Sequence, residues 1–310
     1  MGIANSILAA IGNTPAVRLR KVVAPESAEV IVKLEYYNPT GSYKDRMALA
    51  MIEGAEVRGV LKPGMRVVEY TGGSTGSSLA MVCAVRGYPF IAVSSDAFAK
   101  EKLETMRAFG AEVLVVPSEG GAITPDLFVR LKAEVDRLAR EAGTYYTDQF
   151  NNPDVIAGYR GIGIELLRQL DGSVSVFCGG VGTAGMLVGV SRTLKSASTA
   201  TRVVALEPAS SPFLSAGRTG PHRIEGIGVG FKPPHLEASD YDEVRAIDEG
   251  SAREMARRLA REEGIFAGTS TGLNVAAAVQ LARELGPGRI VATVAVDTGL
   301  KYLEGDLYSD

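Results

Sequence analysis

The sequence predicts an α/β fold with two domains, each an open and mostly parallel twisted sheet flanked by helices. Apolar runs of strand length alternate with segments of helical periodicity along nearly the whole chain, which is typical of βαβ units. The length of 310 residues suits two domains, although one large α/β domain also fits. We expect residues 39–147, which hold several strand–helix pairs, to form the smaller domain and residues 1–38 and 148–310 to form the larger one.

Each predicted element follows from its local pattern. The strands are short apolar runs, at 30–34, 67–70, 90–94, 113–116, 174–178, 203–207 and 290–296. The helices show apolar residues at helical spacing, over 44–58, 75–86, 100–109, 126–141, 159–169, 185–195, 252–263 and 274–285. Thr124 followed by Pro125 indicates a helix start, because a threonine hydroxyl caps N–H groups and proline suits the first helical position.

Composition limits the class of partner. The formal net charge of -3 is spread without long runs of one sign, which favours neither nucleic acid nor a membrane surface. The opening MGIANSILAAIG lacks the basic segment and the long apolar stretch of a secretory signal, and other apolar runs are too short to span a bilayer. Cys83 and Cys178 are far apart and are expected to be reduced thiols. We therefore expect a cytoplasmic protein.

A first glycine-rich turn, EYTGGSTGSSLA at 69–80, follows a predicted strand and opens a helix. Gly72, Ser74 and Gly76 match the G-x-S-x-G nucleophile elbow of a hydrolase. That interpretation needs a histidine late in the fold, and a long segment with at least one more strand follows His235, the later of the two histidines. The favoured alternative is a cradle of N–H groups and hydroxyls for a carboxylate or a phosphate.

A second turn, VFCGGVGTAGMLVGV at 176–190, carries Gly180, Gly182 and Gly185 in the order G-x-G-x-x-G. With Glu207 at the end of the next predicted strand, this is the pattern of a dinucleotide site. Any phosphate on a helix N-terminus needs such glycines, so the pattern indicates phosphate more firmly than nicotinamide. A third turn, GIFAGTSTGLNVAAA at 264–278, also opens a helix, and an ordinary capped helix start explains it equally well. Together the three turns favour one site built from several strand ends.

Lys44 stands at an unusual place, in the first turn of a predicted helix, where the helix dipole disfavours a cation. Asp45 beside it is the residue type that suits this position. The same field helps an amine that must form an imine or accept a proton near neutral pH. A phosphate turn and a candidate imine lysine together indicate pyridoxal phosphate, whose chemistry needs both.

The motifs NPTGSYKDR, GSTG, GGVGTAG, EGIGVGF and GIFAGTSTG occur in this order between IGNTP at 11–15 and VDTGLKYL at 296–303. The set resembles the cysteine synthase and cystathionine β-synthase family, the β-family of pyridoxal-phosphate enzymes of fold type II. The resemblance implies that Lys44 is the Schiff-base lysine and proton shuttle. It assigns the cofactor phosphate to Gly182, Thr183, Ala184, Gly185 and Met186. It assigns the substrate carboxylate to Thr71, Gly72, Ser74, Thr75 and Gln149.

Thr298 is expected to face the pyridine nitrogen, as the family's serine hydroxyl does, and strand alternation would let only one of Asp297 and Thr298 point inward. A hydroxyl partner leaves the ring a weaker electron sink than a carboxylate would and favours loss of a β-leaving group. Two departures from the family occur. Ser74 replaces the asparagine of T-S-G-N-T-G that contacts the cofactor ring hydroxyl, and Met186 replaces a common threonine.

By resemblance, the expected reaction is β-replacement on an activated L-serine, O-acetylserine plus sulfide giving cysteine and acetate through an aminoacrylate intermediate. The larger domain would bind the cofactor, the smaller one would close over the amino-acid substrate, and a homodimer is expected. Alternatives are a cystathionine β-synthase-like condensation, serine or threonine dehydration, and use of O-phosphoserine with Arg218, His222 and Arg223 recognising the phosphate. A nicotinamide-dependent oxidoreductase and an inactive binding module of the same fold stay open outside the class.

Overall fold

The computed structural model describes residues 3–121 and 124–309. The described chain forms two compact units, which are treated separately below. Residues 3–11 and 44–158 belong to the first unit, and residues 12–43 and 159–309 belong to the second. No helix within these ranges is both long enough and apolar enough to cross a membrane.

The elements alternate as the sequence predicts. The strands are β1 (Ala16–Arg18), β2 (Glu29–Leu34), β3 (Arg66–Tyr70), β4 (Phe90–Ser95), β5 (Glu112–Val116), β6 (Thr144–Tyr146), β7 (Val176–Gly180), β8 (Arg202–Pro208), β9 (Glu243–Ile247) and β10 (Ile290–Ala295). The helices are α1 (Lys44–Val57), α2 (Ser74–Arg86), α3 (Lys100–Ala108), α4 (Pro125–Ala139), α5 (Asp154–Gln169), α6 (Gly185–Ala197), α7 (Phe213–Ala216), α8 (Glu249–Arg258) and α9 (Thr269–Leu285).

The first unit is built on a four-stranded, all-parallel sheet in the order β5-β4-β3-β6. The central strands β3 and β4 are mostly buried, because helices cover parallel sheets on both faces. Thr124 caps α4 as predicted, its hydroxyl accepting a hydrogen bond from the Leu127 N–H at 3.2 Å. The carboxyl end of β3 leads directly into the turn that opens α2. The first glycine-rich turn therefore lies at the carboxyl ends of the parallel strands.

The second unit holds a six-stranded sheet in the order β1-β2-β10-β7-β8-β9. Only β1 is antiparallel to its neighbour, and the other pairs are parallel. Helix α9 is buried for most of its length, in a core cluster that includes apolar residues of β2, β7, β8 and β10. Because β7 and β10 pair in parallel, their carboxyl ends lie side by side at the same end of the strands. The predicted α/β class with mostly parallel sheets is confirmed.

Several element boundaries differ from the sequence prediction. The strands β1, β6 and β9 were not predicted, because two of them have three residues and β9 contains Glu243 and Arg245. Strand β7 extends to Gly180, two glycines beyond the predicted end, because Gly179 and Gly180 pair with Ala205 and Leu206. Helices α5 and α9 begin at Asp154 and Thr269, earlier than predicted. The sequence Thr-Ser-Thr-Gly at 269–272 has loop composition, yet the packed helix buries all of it.

Candidate active site

Lys44 is the first residue of α1, as the sequence predicts, and it is buried. Asp45 beside it is fully buried and accepts a hydrogen bond from the Ser78 hydroxyl at 2.6 Å. This bond joins the first turn of α1 to the first turns of α2. Lys44 therefore begins a helix that is fixed against the start of α2, where the first glycine-rich turn lies.

Thr71 organises that turn. Its hydroxyl oxygen accepts hydrogen bonds from the N–H groups of Gly73 at 3.1 Å and Gly76 at 3.2 Å. A hydroxyl that accepts two such bonds keeps its proton for donation. Within the described ranges, this proton meets no acceptor of the protein. Thr71 can therefore shape the turn and donate to a ligand with the same side chain.

Gln149 reaches the same turn from the segment after β6. Its Oε1 accepts a hydrogen bond from the Thr75 hydroxyl at 2.9 Å, and its Nε2 donates to the Tyr70 carbonyl at 3.3 Å. An amide nitrogen carries two protons, so one of them is left to donate. The predicted carboxylate residues Thr71, Thr75 and Gln149 are thus brought together in the first unit.

The donors left around this turn suit a small anion. The N–H groups of Gly72 and Thr75 find no acceptor among the residues that the structure describes, and they accompany the Thr71 hydroxyl proton and the second Gln149 amide proton. Thr75 lies in the first turn of α2, where the helix dipole favours negative charge. Ser74 is the first residue of α2 and is half-buried. A carboxylate accepts several hydrogen bonds and is the matching ligand.

Glu69 holds the segment that carries Gln149 next to the turn, and the sequence analysis did not identify this residue. The side chain is fully buried in β3 and accepts hydrogen bonds from the Thr147 hydroxyl at 2.6 Å, the Gln149 N–H at 3.1 Å and the Tyr70 N–H at 3.1 Å. Burial raises the pKa of this carboxyl to about 8, against the lowering effect of the Thr147 and Gln149 hydrogen bonds. An acidic residue inside the apolar strand RVVEY was the available signal.

Replacing Glu69 with glutamine is expected to remove a pH dependence from stability. Between the ordinary pKa of 4.5 and the folded value of about 8, the folded chain holds a proton that the unfolded chain has lost. The Glu69 contribution is therefore fully present below pH 4.5 and is lost as the pH rises through 8. Between about pH 5 and about pH 9, Glu69→Gln should gain on the order of 3–5 kcal/mol of unfolding free energy relative to the wild type.

Unfolding free energies of both proteins across this range measure the effect. Glu112→Gln, which changes an exposed acid on β5, is the matched control and should follow the wild type. Parallel pH profiles for Glu69→Gln and the wild type would contradict a buried carboxyl that holds its proton.

In the second unit, the predicted phosphate turn forms a cradle of backbone N–H groups. The described residues provide no acceptor for the N–H groups of Gly182, Thr183, Ala184, Gly185 and Met186. Ala184 has a φ of 66° and no side chain caps the start of α6. Successive N–H groups around a left-handed residue form a concavity for anions, and the helix dipole adds to it. These residues fit a phosphate group.

Gly182 is required by the close approach of a second loop. A Cβ on Gly182 would stand 2.2 Å from the Gly226 carbonyl oxygen, and the Gly228 N–H donates to the Val181 carbonyl at 3.0 Å. The loop that carries EGIGVGF therefore packs directly on the cradle. This packing explains a glycine that the sequence alone attributes to a dinucleotide pattern.

Buried polar side chains of α9 fix the strand ends around the cradle, and the sequence analysis missed them. Asn274 accepts a hydrogen bond from the Gly180 N–H at 2.8 Å and donates to the Val294 carbonyl at 3.0 Å. The Thr271 hydroxyl accepts from the Val296 N–H at 2.9 Å. The third glycine-rich turn thus acts as a support for the ends of β7 and β10.

Asp297 and Thr298 come after the last residue of β10 and lie beyond the strand, near the carboxyl end of the neighbouring strand β7 that leads into the cradle. Strand alternation therefore does not apply to these two residues, which form separate isolated bridges with Ser42 and Ala267. Asp297 is buried and accepts a hydrogen bond from the Tyr302 hydroxyl at 2.9 Å. The Thr298 hydroxyl accepts from the Leu300 N–H at 3.3 Å, which leaves its proton to donate.

Two groups that supported alternative functions have other roles. Glu207 is buried and accepts hydrogen bonds from the N–H groups of Leu214 at 2.7 Å and Ser215 at 3.0 Å, so the nicotinamide alternative loses its candidate ribose ligand. Arg223 pairs with Glu249 at 2.8 Å and with Asp306 at 2.7 Å, which neutralises the charge suggested for a phosphate leaving group.

Comparisons with known proteins show the family to which the chain belongs. The family model described as pyridoxal-phosphate dependent enzyme matches residues 7–296. A cysteine synthase of Staphylococcus aureus (strain Mu50 / ATCC 700699) is 44% identical over 98% of this chain and 97% of its own length. The solved structure of an O-ureido-L-serine synthase has 40% identity and a TM-score of 0.91, covering 99% of this chain and 96% of that one. An O-acetyl serine sulfhydrylase isoform 3 from Entamoeba histolytica has 34% identity and a TM-score of 0.93, covering 99% and 92%. The protein therefore belongs to the pyridoxal-phosphate-dependent enzymes of the cysteine synthase type.

Proposed function

We propose that this protein catalyses β-replacement on O-acetyl-L-serine, with sulfide as the nucleophile and L-cysteine and acetate as the products. The observation that carries the proposal is the turn at the start of α2, whose remaining donors suit the carboxylate of an amino acid. The similar S. aureus protein is a cysteine synthase and the E. histolytica structure is an O-acetyl serine sulfhydrylase. Both names support this donor and this product.

Pyridoxal phosphate supplies the electron sink for negative charge at the substrate α-carbon. On this proposal, the N–H groups from Gly182 to Met186 hold its phosphate. Lys44 would bind it covalently and Ser74 would contact it. Thr298, whose hydroxyl accepts from the Leu300 N–H, would donate its proton to the ring nitrogen. The Asp297 carboxylate accepts a hydrogen bond from Tyr302.

The substrate carboxylate is proposed to bind Thr71, Gly72, Ser74, Thr75 and Gln149. Lys44 Nζ takes the α-proton and later returns it to the same carbon. Acetate leaves with the electron pair of the Cβ–O bond, and hydrosulfide forms the Cβ–S bond. The burial of Lys44 limits the access of water to this amine, which protects the transferred proton from exchange.

The proposal includes a cytoplasmic homodimer. Family resemblance supports the dimer. The two cysteines, Cys83 and Cys178, are buried free thiols, and burial raises the pKa of Cys178 to about 12, so both suit a reducing compartment.

Turnover with defined donors tests the function. The protein loaded with pyridoxal phosphate is expected to convert O-acetyl-L-serine and sulfide into equal amounts of L-cysteine and acetate, followed by chromatography of both products. O-phospho-L-serine and L-serine are the comparison donors and should react more slowly. A loaded protein that leaves O-acetyl-L-serine unchanged in the presence of sulfide would overturn the proposal.

A second candidate is synthesis of O-ureido-L-serine. The solved synthase of that name is 40% identical to this chain, an identity close to that of the cysteine synthase relative. The same donor with hydroxyurea in place of sulfide separates the two functions by the product formed.

A further inference from the structure

The carboxylate turn of the first unit is covered by side chains from α3 and the segment that enters it. A Cβ on Gly73 would stand 2.3 Å from Cδ of Lys102, and a Cβ on Gly76 would stand 2.2 Å from Sδ of Met106. Lys102 and Met106 are four residues apart on α3 and share one face of that helix. The turn therefore depends on glycine wherever this face approaches it.

Phe98 makes the third of these approaches and differs from the other two in rigidity. A Cβ on Gly72 would stand 2.7, 3.0 and 3.1 Å from three carbons of the Phe98 ring. The Lys102 and Met106 atoms belong to buried but flexible chains, whereas a phenyl ring moves only as a unit. The ring also packs against the core cluster of Val68, Ile91, Val93 and the apolar face of α4, and the Phe98 N–H donates to the Ser95 carbonyl at 3.2 Å.

A side chain at position 72 therefore requires the Phe98 ring to shift. The family motif has serine at this position, so the ring occupies space that a side chain takes in that motif. Gly72 contributes a backbone N–H to the donor set of the turn. The Phe98 ring therefore limits the shape of the turn at Gly72. It also places an apolar group beside the turn, where the family motif has a serine hydroxyl.

We propose that Phe98 determines donor specificity by closing one side of the turn and restricting the donor to small β-leaving groups. The inference rests on the proposed binding of the donor carboxylate at this turn. The β-carbon of an amino acid is two bonds from its carboxylate carbon, so a wall beside the carboxylate also limits the room for the leaving group. The effect of a side chain at position 72 therefore depends on whether Phe98 is present.

A double-mutant cycle with two donors tests this inference. Gly72→Ser should raise the KM for O-acetyl-L-serine by about tenfold with little change in kcat, because its new side chain collides with the ring. In the Phe98→Ala background, the same substitution should cost less by about fivefold or more. Phe98→Ala should also raise the kcat/KM ratio of O-succinyl-L-serine to O-acetyl-L-serine by about tenfold.

Phe109→Ala is the matched control, because Phe109 directly follows α3 and does not approach the turn glycines described above. It should leave the donor ratio unchanged, and all variants should retain bound pyridoxal phosphate. Additive effects of Gly72→Ser and Phe98→Ala, or an unchanged donor ratio in Phe98→Ala, would overturn the role of Phe98 while the proposed function stands. A wild-type protein inactive with O-acetyl-L-serine would instead overturn the proposed function and this inference with it.

Discussion

Replacing Lys44 with alanine is expected to reduce β-replacement by about 10³-fold or more, because one amine both binds the cofactor and moves the α-proton. The fold should survive. Alanine favours a helix, and its introduction removes a cation from the first turn of α1, where a cation is unfavourable. Turnover is measured with O-acetyl-L-serine and sulfide. Covalent attachment is measured by borohydride reduction of the loaded protein followed by intact mass, and the cofactor mass should be absent from Lys44→Ala.

Lys100→Ala is the matched control for this experiment. Lys100 is also the first residue of a helix, α3, but it is exposed. Both substitutions therefore remove a lysine from a helix N-terminus, and only Lys44 carries a proposed chemical role. A Lys44→Ala protein that still retains the cofactor mass after reduction, or a comparable loss of activity in Lys100→Ala, would contradict the assignment of Lys44.

The sequence was sufficient for the fold class because long elements carry their own periodic signals. The strands β3, β4 and β10 are apolar runs with buried patterns, and they were placed within one residue of their ends. The strands β6 and β9 lack such a signal, since their identity comes from pairing with β3 and β8. The start of α9 was hidden for a related reason. Thr-Ser-Thr-Gly favours a loop locally, and tertiary burial overrides that preference.

The sequence was likewise sufficient for some parts of the candidate site and not for others. Glycine spacing located both candidate anion-binding turns, because backbone that must approach a ligand or another loop needs residues without side chains. The partners of these turns could not be located in this way. Gln149 meets Thr75, and Asn274 meets Gly180, across long sequence separations that only the fold brings together. Glu69 and Phe98 are single residues within or next to strands, so no spacing marked them. The roles given to the individual site residues stay predictions.

The pattern G-x-G-x-x-G illustrates how one motif supports different chemistry. It indicated a turn that fits a phosphate, and its link to nicotinamide depended on Glu207 as a ribose ligand. Glu207 instead accepts hydrogen bonds at the start of α7. The position of the acidic residue, and not the glycine spacing, therefore separates a nicotinamide site from another phosphate site. The glycines suit a phosphate and a closely packed loop in both kinds of site.

Gly182→Ala is expected to weaken binding of pyridoxal phosphate by about ten- to hundredfold, the loss of one or two hydrogen bonds to a charged group. The added Cβ would stand 2.2 Å from the Gly226 carbonyl oxygen, which is backbone and cannot rotate away. Either the cradle or the 225–231 loop must shift, and the aligned N–H groups from Gly182 to Met186 lose their common direction. Titration of the cofactor-free variant with pyridoxal phosphate, followed by absorbance, gives the dissociation constant.

Gly179→Ala is the control for the same strand end. Its Cβ would meet the terminal methyl of Met186 at 2.7 Å, and a methionine end can rotate away at small cost. The two variants therefore add the same methyl group on either side of Gly180 and differ in whether backbone or a flexible side chain stands in the way. Equal affinity for pyridoxal phosphate in Gly182→Ala and Gly179→Ala would mean that the N–H cradle at the start of α6 does not hold the phosphate. A selective loss in Gly182→Ala would tie cofactor binding to the packing of the 225–231 loop on this cradle.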